Sequence, residues 1–109
     1  MRKNTEIFCS LLKTNRCKPA KSILRENGCV SMCFYVDNDD DRFVEVSDSV
    51  HSDDLVILCR DRSNASVVVV SSLAMAATVL SDFLGALSPG RPVHLNLSPS
   101  MEEGTRKAR

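Results

Sequence analysis

The side chains with the most chemical potential in this 109-residue chain are a run of carboxylates and five scattered thiols. Asp37, Asp39 and Asp41 occupy alternate positions with Asp48 at the twelfth place, which is the ligand spacing of a calcium-binding loop. Such a loop needs Gly at its sixth position for a sharp turn and a bidentate Glu at its twelfth; here those places hold Arg42 and Asp48. The run DNDDDR at residues 37–42 therefore reads as a solvated acidic turn, and no metal is expected there. Cys9, Cys17, Cys29, Cys33 and Cys59 cannot all pair within one chain. No secretory signal is visible either, so the expectation is reduced thiols in a cytoplasmic protein. Cys29 and Cys33 share one face of a strand and Cys59 can approach them, but paired Cys-x-x-Cys or Cys plus His spacings are missing, so the thiols read as small core residues. His51 and His94 are isolated, and His51 beside Asp53 and Asp54 reads as a polar loop. With no Gly-rich phosphate loop and no Gly-x-Ser-x-Gly, the chain is expected to be neither an enzyme nor a cofactor carrier.

Formal charge sums to zero, 14 basic against 14 acidic residues, so the overall field favours no class of partner. Its distribution is uneven. Residues 1–25 carry Arg2, Lys3, Lys13, Arg16, Lys18, Lys21 and Arg25 against Glu6 alone, and the acidic residues concentrate in residues 26–54. Residues 67–87 hold a single charge, Asp82, which raises the question of a membrane span. Four consecutive valines, and Ser71, Ser72, Thr78, Ser81 and Gly85, favour a buried strand followed by a core helix instead, and no span is expected.

The elements that must position these groups follow from periodicity. LVILC at residues 55–59 and SVVVV at 66–70 are β-branched runs separated by a polar turn, which predicts an antiparallel hairpin. Ser71 and Ser72 then cap a helix with Leu73, Ala76, Ala77, Leu80, Phe83, Leu84 and Leu87 on one stripe. Near the start, Ile7, Phe8, Leu11 and Leu12 predict a helix over residues 5–16 with Asn4 or Thr5 as cap. Pro19 either kinks that helix or restarts it, carrying Ala20, Ile23 and Leu24 to a stop at Asn27-Gly28. CVSMCFYV at residues 29–36 alternates Val30, Met32, Phe34 and Val36 toward the helices with Cys29, Ser31, Cys33 and Tyr35 outward. Residues 43–46 extend the sheet, residues 93–97 supply a short edge strand or dock loosely, and residues 98–109 form a mobile tail after a single domain of residues 1–97.

The resulting expectation is an α+β fold of order α-β-β-β-α: a three-stranded antiparallel sheet, with room for a fourth short strand, and two helices packed on one face. That order, together with NGCVSM at residues 27–32 and HSDDLVILCRDRSNASVVVVSS at residues 51–72, resembles the signal recognition particle 14 kDa subunit family. The resemblance implies a non-catalytic cytoplasmic subunit that pairs with a 9 kDa-type partner into a larger curved sheet. The bare face of that sheet binds the Alu domain of the particle RNA and supports elongation arrest in protein targeting, acting on the ribosome indirectly. The positions that map are Arg60 at a strand end, Arg62 in the turn after it, the outward Ser31, Cys33 and Tyr35, and the basic tail residues Arg106, Lys107 and Arg109. The chain departs from the family's basic character, with Ser63, Asn64 and Ala65 where the turn carries lysines. Fewer cations mean weaker and less salt-dependent RNA binding. The competing expectation is a protein-interaction or adaptor module that uses an exposed sheet edge, as a heterodimer or by self-association, without RNA.

Overall fold

The structure, a computed structural model, describes residues 1–25 and 28–96. Helix α1 (Lys3–Lys13) is followed by five strands, β1 (Cys17–Leu24), β2 (Val30–Val36), β3 (Asp39–Asp48), β4 (Leu55–Asp61) and β5 (Asn64–Val70), and by helix α2 (Leu73–Leu87). The strands form one antiparallel sheet in chain order, β1-β2-β3-β4-β5. Both helices lie on the same face, as the sequence predicts, but the sheet has five strands where three were expected.

The two extra strands have physical origins. Residues 17–24 were expected as helix because Ala20, Ile23 and Leu24 sit at helical steps around Pro19. They form β1 instead, at the sheet edge, where proline is tolerated because its missing N–H would face solvent. Register slips between Pro19 and Lys21, so Ala20 is a bulge. Gly28, at φ +85, lies in the turn back into β2, where Arg25 N–H donates to Cys29 O at 2.9 Å. Asn27, named as part of a helix stop, lies outside the described residues. The second correction concerns the acidic run. Asp37 and Asn38, at φ 53 and 60, form a two-residue hairpin turn whose left-handed geometry matches the twist of the flanking strands, and β3 begins at once at Asp39.

The core is the helix-side surface of the sheet. Phe34, Val36, Val44, Val46, Leu55 and Ile57 meet Phe8, Leu11 and Leu12 of α1 and Ala76, Leu80 and Leu84 of α2, all at most 1% exposed. Burying each large side chain stabilises the fold by roughly 1.5–3 kcal/mol, before the entropy of ordering the chain is set against it. Ser72 caps α2, its hydroxyl accepting from Met75 N–H at 3.1 Å. No side-chain cap closes the first turn of α1 from its own N-cap, Arg2. The carboxylate of Asp48, at the end of β3, accepts Arg2 N–H at 3.0 and 3.2 Å and the buried Thr5 hydroxyl at 2.5 Å.

After α2 the chain returns without regular structure. Val93 and Leu95 pack against the core, and Asn15 fixes Asn96 by accepting its N–H at 2.8 Å and donating to its carbonyl at 3.0 Å. This is the loose docking expected for VHLNL; Leu97 and the tail fall outside the described residues. Among the described residues no helix is long and apolar enough to cross a membrane.

Candidate functional site

The second face of the sheet carries no helix among the described residues, and strand register decides which side chains share it. Directly opposed residues of antiparallel strands point the same way, so the pairing defines three rows that cross all five strands. One row is Lys18, Tyr35, Phe43, Arg60 and Ala65; the next is Lys21, Cys33, Glu45, Leu58 and Val67; the third is Ile23, Ser31, Ser47, Val56 and Val69.

In the first row two cations, Lys18 and Arg60, flank two adjacent aromatic rings, Tyr35 and Phe43. Arg60 is exposed and its guanidinium carbon stands 5.8 Å from the centroid of the Phe43 ring, within cation–π range. Its Nε donates to Arg62 O at 3.0 Å, which fixes the side chain across the β4–β5 turn. Arg62 itself is at φ 57, and its N–H donates to Asp41 O at 2.7 Å. Tyr35 and Phe43 are half-buried, and Lys18 and Lys21 are exposed at the β1 edge. Aromatic faces with flanking cations are what unpaired bases and phosphates use on a sheet surface.

The opposite end of the face is apolar. Ile23, Leu24, Val50, Val56, Leu58 and Val67 line a groove of about 750 Å³. Arg25 and Glu45 bridge its floor, with Arg25 Nη2 to Glu45 Oε2 at 2.5 Å and Arg25 Nε donating to Ser31 Oγ at 3.3 Å.

Of the positions mapped from the sequence, Arg60, Arg62 and Tyr35 sit on or beside the basic-aromatic row. Ser31 and Cys33 point to the same face but are each 2% exposed, Ser31 beneath Arg25, so they shape the floor and offer little surface. Arg106, Lys107 and Arg109 lie outside the described residues. The sequence reading missed Lys18, Lys21 and Phe43. Its helical reading of residues 17–24 hid the two lysines, whereas Pro19 flanked by Lys18 and Lys21 is the pattern of a protected edge strand and was the available signal. Phe43 opens FVEV, whose period-two alternation with Glu45 placed both on one side.

Burial governs the thiols. It pushes Cys17 up to about 12 and Cys9 and Cys59 to about 11, and raises Cys33, where the charge of Glu45 adds to the effect. Each is moved away from the thiolate form that nucleophilic or metal-binding cysteines need. The acidic group Asp39, Asp40 and Asp41 brings its carboxylates within 4.8 Å of one another. Asp39 already accepts Asp41 N–H at 2.9 Å and pairs with Arg42 at 3.8 Å. Across the hairpin, Arg16 grips Asp37 at 2.8 and 2.5 Å and holds its carboxyl below the usual range.

Set beside protein-family models, curated proteins and solved structures, the chain matches none of them.

Proposed function

We propose that this protein is a non-catalytic RNA-binding subunit that receives a folded RNA on the open face of its sheet. The observation that carries the reading is the row Lys18, Tyr35, Phe43 and Arg60, in which two cations bracket two aromatic rings across four adjacent strands. Folded RNA is gripped through phosphate contacts and stacking on splayed bases more than through a groove-reading helix, and this row supplies both kinds of contact. The raised thiols agree with a role without covalent chemistry.

The resemblance to the signal recognition particle 14 kDa subunit makes an Alu-domain RNA the first ligand to try, with a 9 kDa-type partner and a cytoplasmic setting as parts of the same proposal. A supporting role in elongation arrest would be exercised through that RNA and the ribosome. The test is an RNA titration with the double variant Arg60→Glu, Arg62→Glu. Affinity is expected to fall about tenfold or more at low salt while the circular dichroism spectrum stays unchanged. Equal affinity for variant and wild type would remove the assigned surface.

The apolar groove at the other end of the face favours a second reading, a protein-interaction module that takes an apolar segment over Val56, Leu58 and Val67. Absence of any salt-dependent RNA complex, together with a stable protein ligand displaced by Leu58→Lys, would select it.

A further inference from the structure

The β4–β5 turn presents a hydroxyl beside cations. Only Arg62 and Ser63 lie between the paired Asp61 and Asn64, so Ser63 sits at the tip of the hairpin. It is exposed, and among the described residues nothing bonds its hydroxyl. Arg60 stands three residues before it and Arg62 one before it. Of all the serines and threonines in the chain, only Thr5 and Ser63 have a cation at the third residue on their N-terminal side, Arg2 and Arg60 respectively. The two differ in access. Thr5 is 1% exposed, lies in the first turn of α1 and gives its hydroxyl to Asp48. Ser63 faces solvent with no bond to displace. The segment around it also opens easily: β5 pairs with β4 alone, and every residue from Arg62 to Val67 is exposed. A hairpin tip at a sheet edge with no buried side chain unfolds locally at small cost, which lets an enzyme cleft take it in extended form.

We infer that Ser63 is the acceptor of an arginine-directed serine kinase, and that its phosphate switches off the basic-aromatic row. The consequence rests on the RNA reading; the chemistry does not. Ser63 Oγ attacks the terminal phosphorus of a nucleoside triphosphate, and the bond from that phosphorus to the bridging oxygen breaks. The nucleoside diphosphate leaves, and the hydroxyl proton passes to the base of the kinase. Arg60 and Arg62 seat against carboxylates of the kinase cleft, the kind of charge pattern by which such enzymes choose substrates. The product phosphate carries about −1.5 to −2 charges at pH 7. Arg60 is held close to it, because its Nε donates at 3.0 Å to the Arg62 carbonyl, which belongs to the peptide bond leading into Ser63. The phosphate therefore offsets the two cations that this end of the sheet offers to RNA. Carboxylates nearby make the balance sensitive. Arg62 N–H donates to the Asp41 carbonyl, Asp40 and Asp41 are exposed, and Asp61 is paired with Arg42. A phosphate added there tips that end of the sheet toward negative charge, which repels RNA.

The test incubates the full chain with the catalytic domain of an arginine-directed serine kinase and magnesium ATP, and places the phosphate by mass spectrometry of the intact chain and its peptides. Modification is expected on Ser63 and not on Thr5. Ser63→Ala takes no phosphate, and Arg60→Ala takes it about tenfold more slowly, the effect of losing one charge-assisted contact to the enzyme. A peptide of residues 57–69 shows whether the kinase accepts the segment when it is unfolded. A folded chain left unmodified at Ser63, whether or not the peptide reacts, overturns the site. The phosphorylated chain is then titrated with the same folded RNA, and its affinity is expected to fall about tenfold or more at low salt. Equal affinity with and without phosphate overturns the switch. Failure of the two readings is distinguishable. A chain that takes phosphate on Ser63 yet binds no RNA in either form removes the RNA reading and with it the switch, whereas a chain that binds RNA and takes no phosphate removes the site alone.

Discussion

The flank made by α1 and β1 and the flank made by α2 and β5 cover the two ends of one sheet by opposite means. The first is charged: Lys3, Glu6 and Lys13 mark α1, Lys18 and Lys21 mark β1, and the helix is tied down by polar contacts to Asp48. The second is nearly uncharged over both elements and relies on apolar stripes and a single hydroxyl cap. The charged edge obstructs addition of another strand, and it places its lysines on the open face with Tyr35 and Phe43. The uncharged edge lacks that obstruction, since β5 holds no charge and no proline. The contrast teaches that the two ends of a small sheet can be given different surfaces by residue choice alone, with no change in architecture.

The sharpest test of the contrast in stability is alkaline. Cys9 and Cys17 belong to the charged flank, and Cys59 lies on β4, whose neighbour is the uncharged edge strand. Burial keeps all three protonated past the value of 9.0 at which the unfolded thiols ionise. Because the folded values are raised, the stability they contribute is complete below about pH 9 and is lost as pH rises toward 11 and 12. Urea unfolding is expected to be flat between pH 7 and 8 and to lose about 3 kcal/mol by pH 10. Cys9→Ala with Cys17→Ala should remove more of that slope than Cys59→Ala.

Next in size is Asp48→Ala, which strips the charged flank of the carboxylate that holds Arg2 and leaves the buried Thr5 hydroxyl without its acceptor. A loss of about 2 kcal/mol in urea unfolding is expected. Ser72→Ala, the corresponding loss on the other flank, removes one exposed cap bond and costs about 1 kcal/mol. Equal effects would erase the distinction between polar and apolar fastening. The smallest effect has the opposite sign: Arg62, at φ 57, occupies a backbone region that glycine holds without strain. Arg62→Gly is expected to raise stability by up to about 1 kcal/mol while weakening RNA binding, which separates strain from recognition at one residue.

Legibility in the sequence followed burial. The β4–β5 hairpin and α2 were readable because valines and leucines on a covered surface enforce their periods, and Ser72 marks the junction. The turn between β4 and β5 is tighter than the polar string RDRSNA suggests: only Arg62 and Ser63 lie between the paired Asp61 and Asn64. β1 was unreadable as a strand because Cys17 alone is buried and Pro19 and Ser22, on the helix side, are exposed, so no alternation was imposed on the sequence. The start of β3 was masked by composition, since Asp39, Asp40 and Asp41 look like loop yet follow a two-residue turn. Tyr35 was placed on the outward face by strand alternation and Arg60 was named through the family resemblance; Lys18 and Phe43 join that face only through register, which no local pattern encodes.

The measurement that bears most directly on the open-face assignment is the salt dependence of affinity for a folded Alu-type RNA. It compares wild type, Lys18→Glu with Lys21→Glu and Arg60→Glu, and Val67→Lys with Val69→Lys. Reversing the three cations is expected to lower affinity more than tenfold and to flatten the slope of log affinity against log salt by about 3, whereas the valine substitutions leave the intrinsic affinity per chain equal or higher. Unchanged binding after the charge reversals, with loss after the valine substitutions, would contradict the account and move the ligand to the apolar flank.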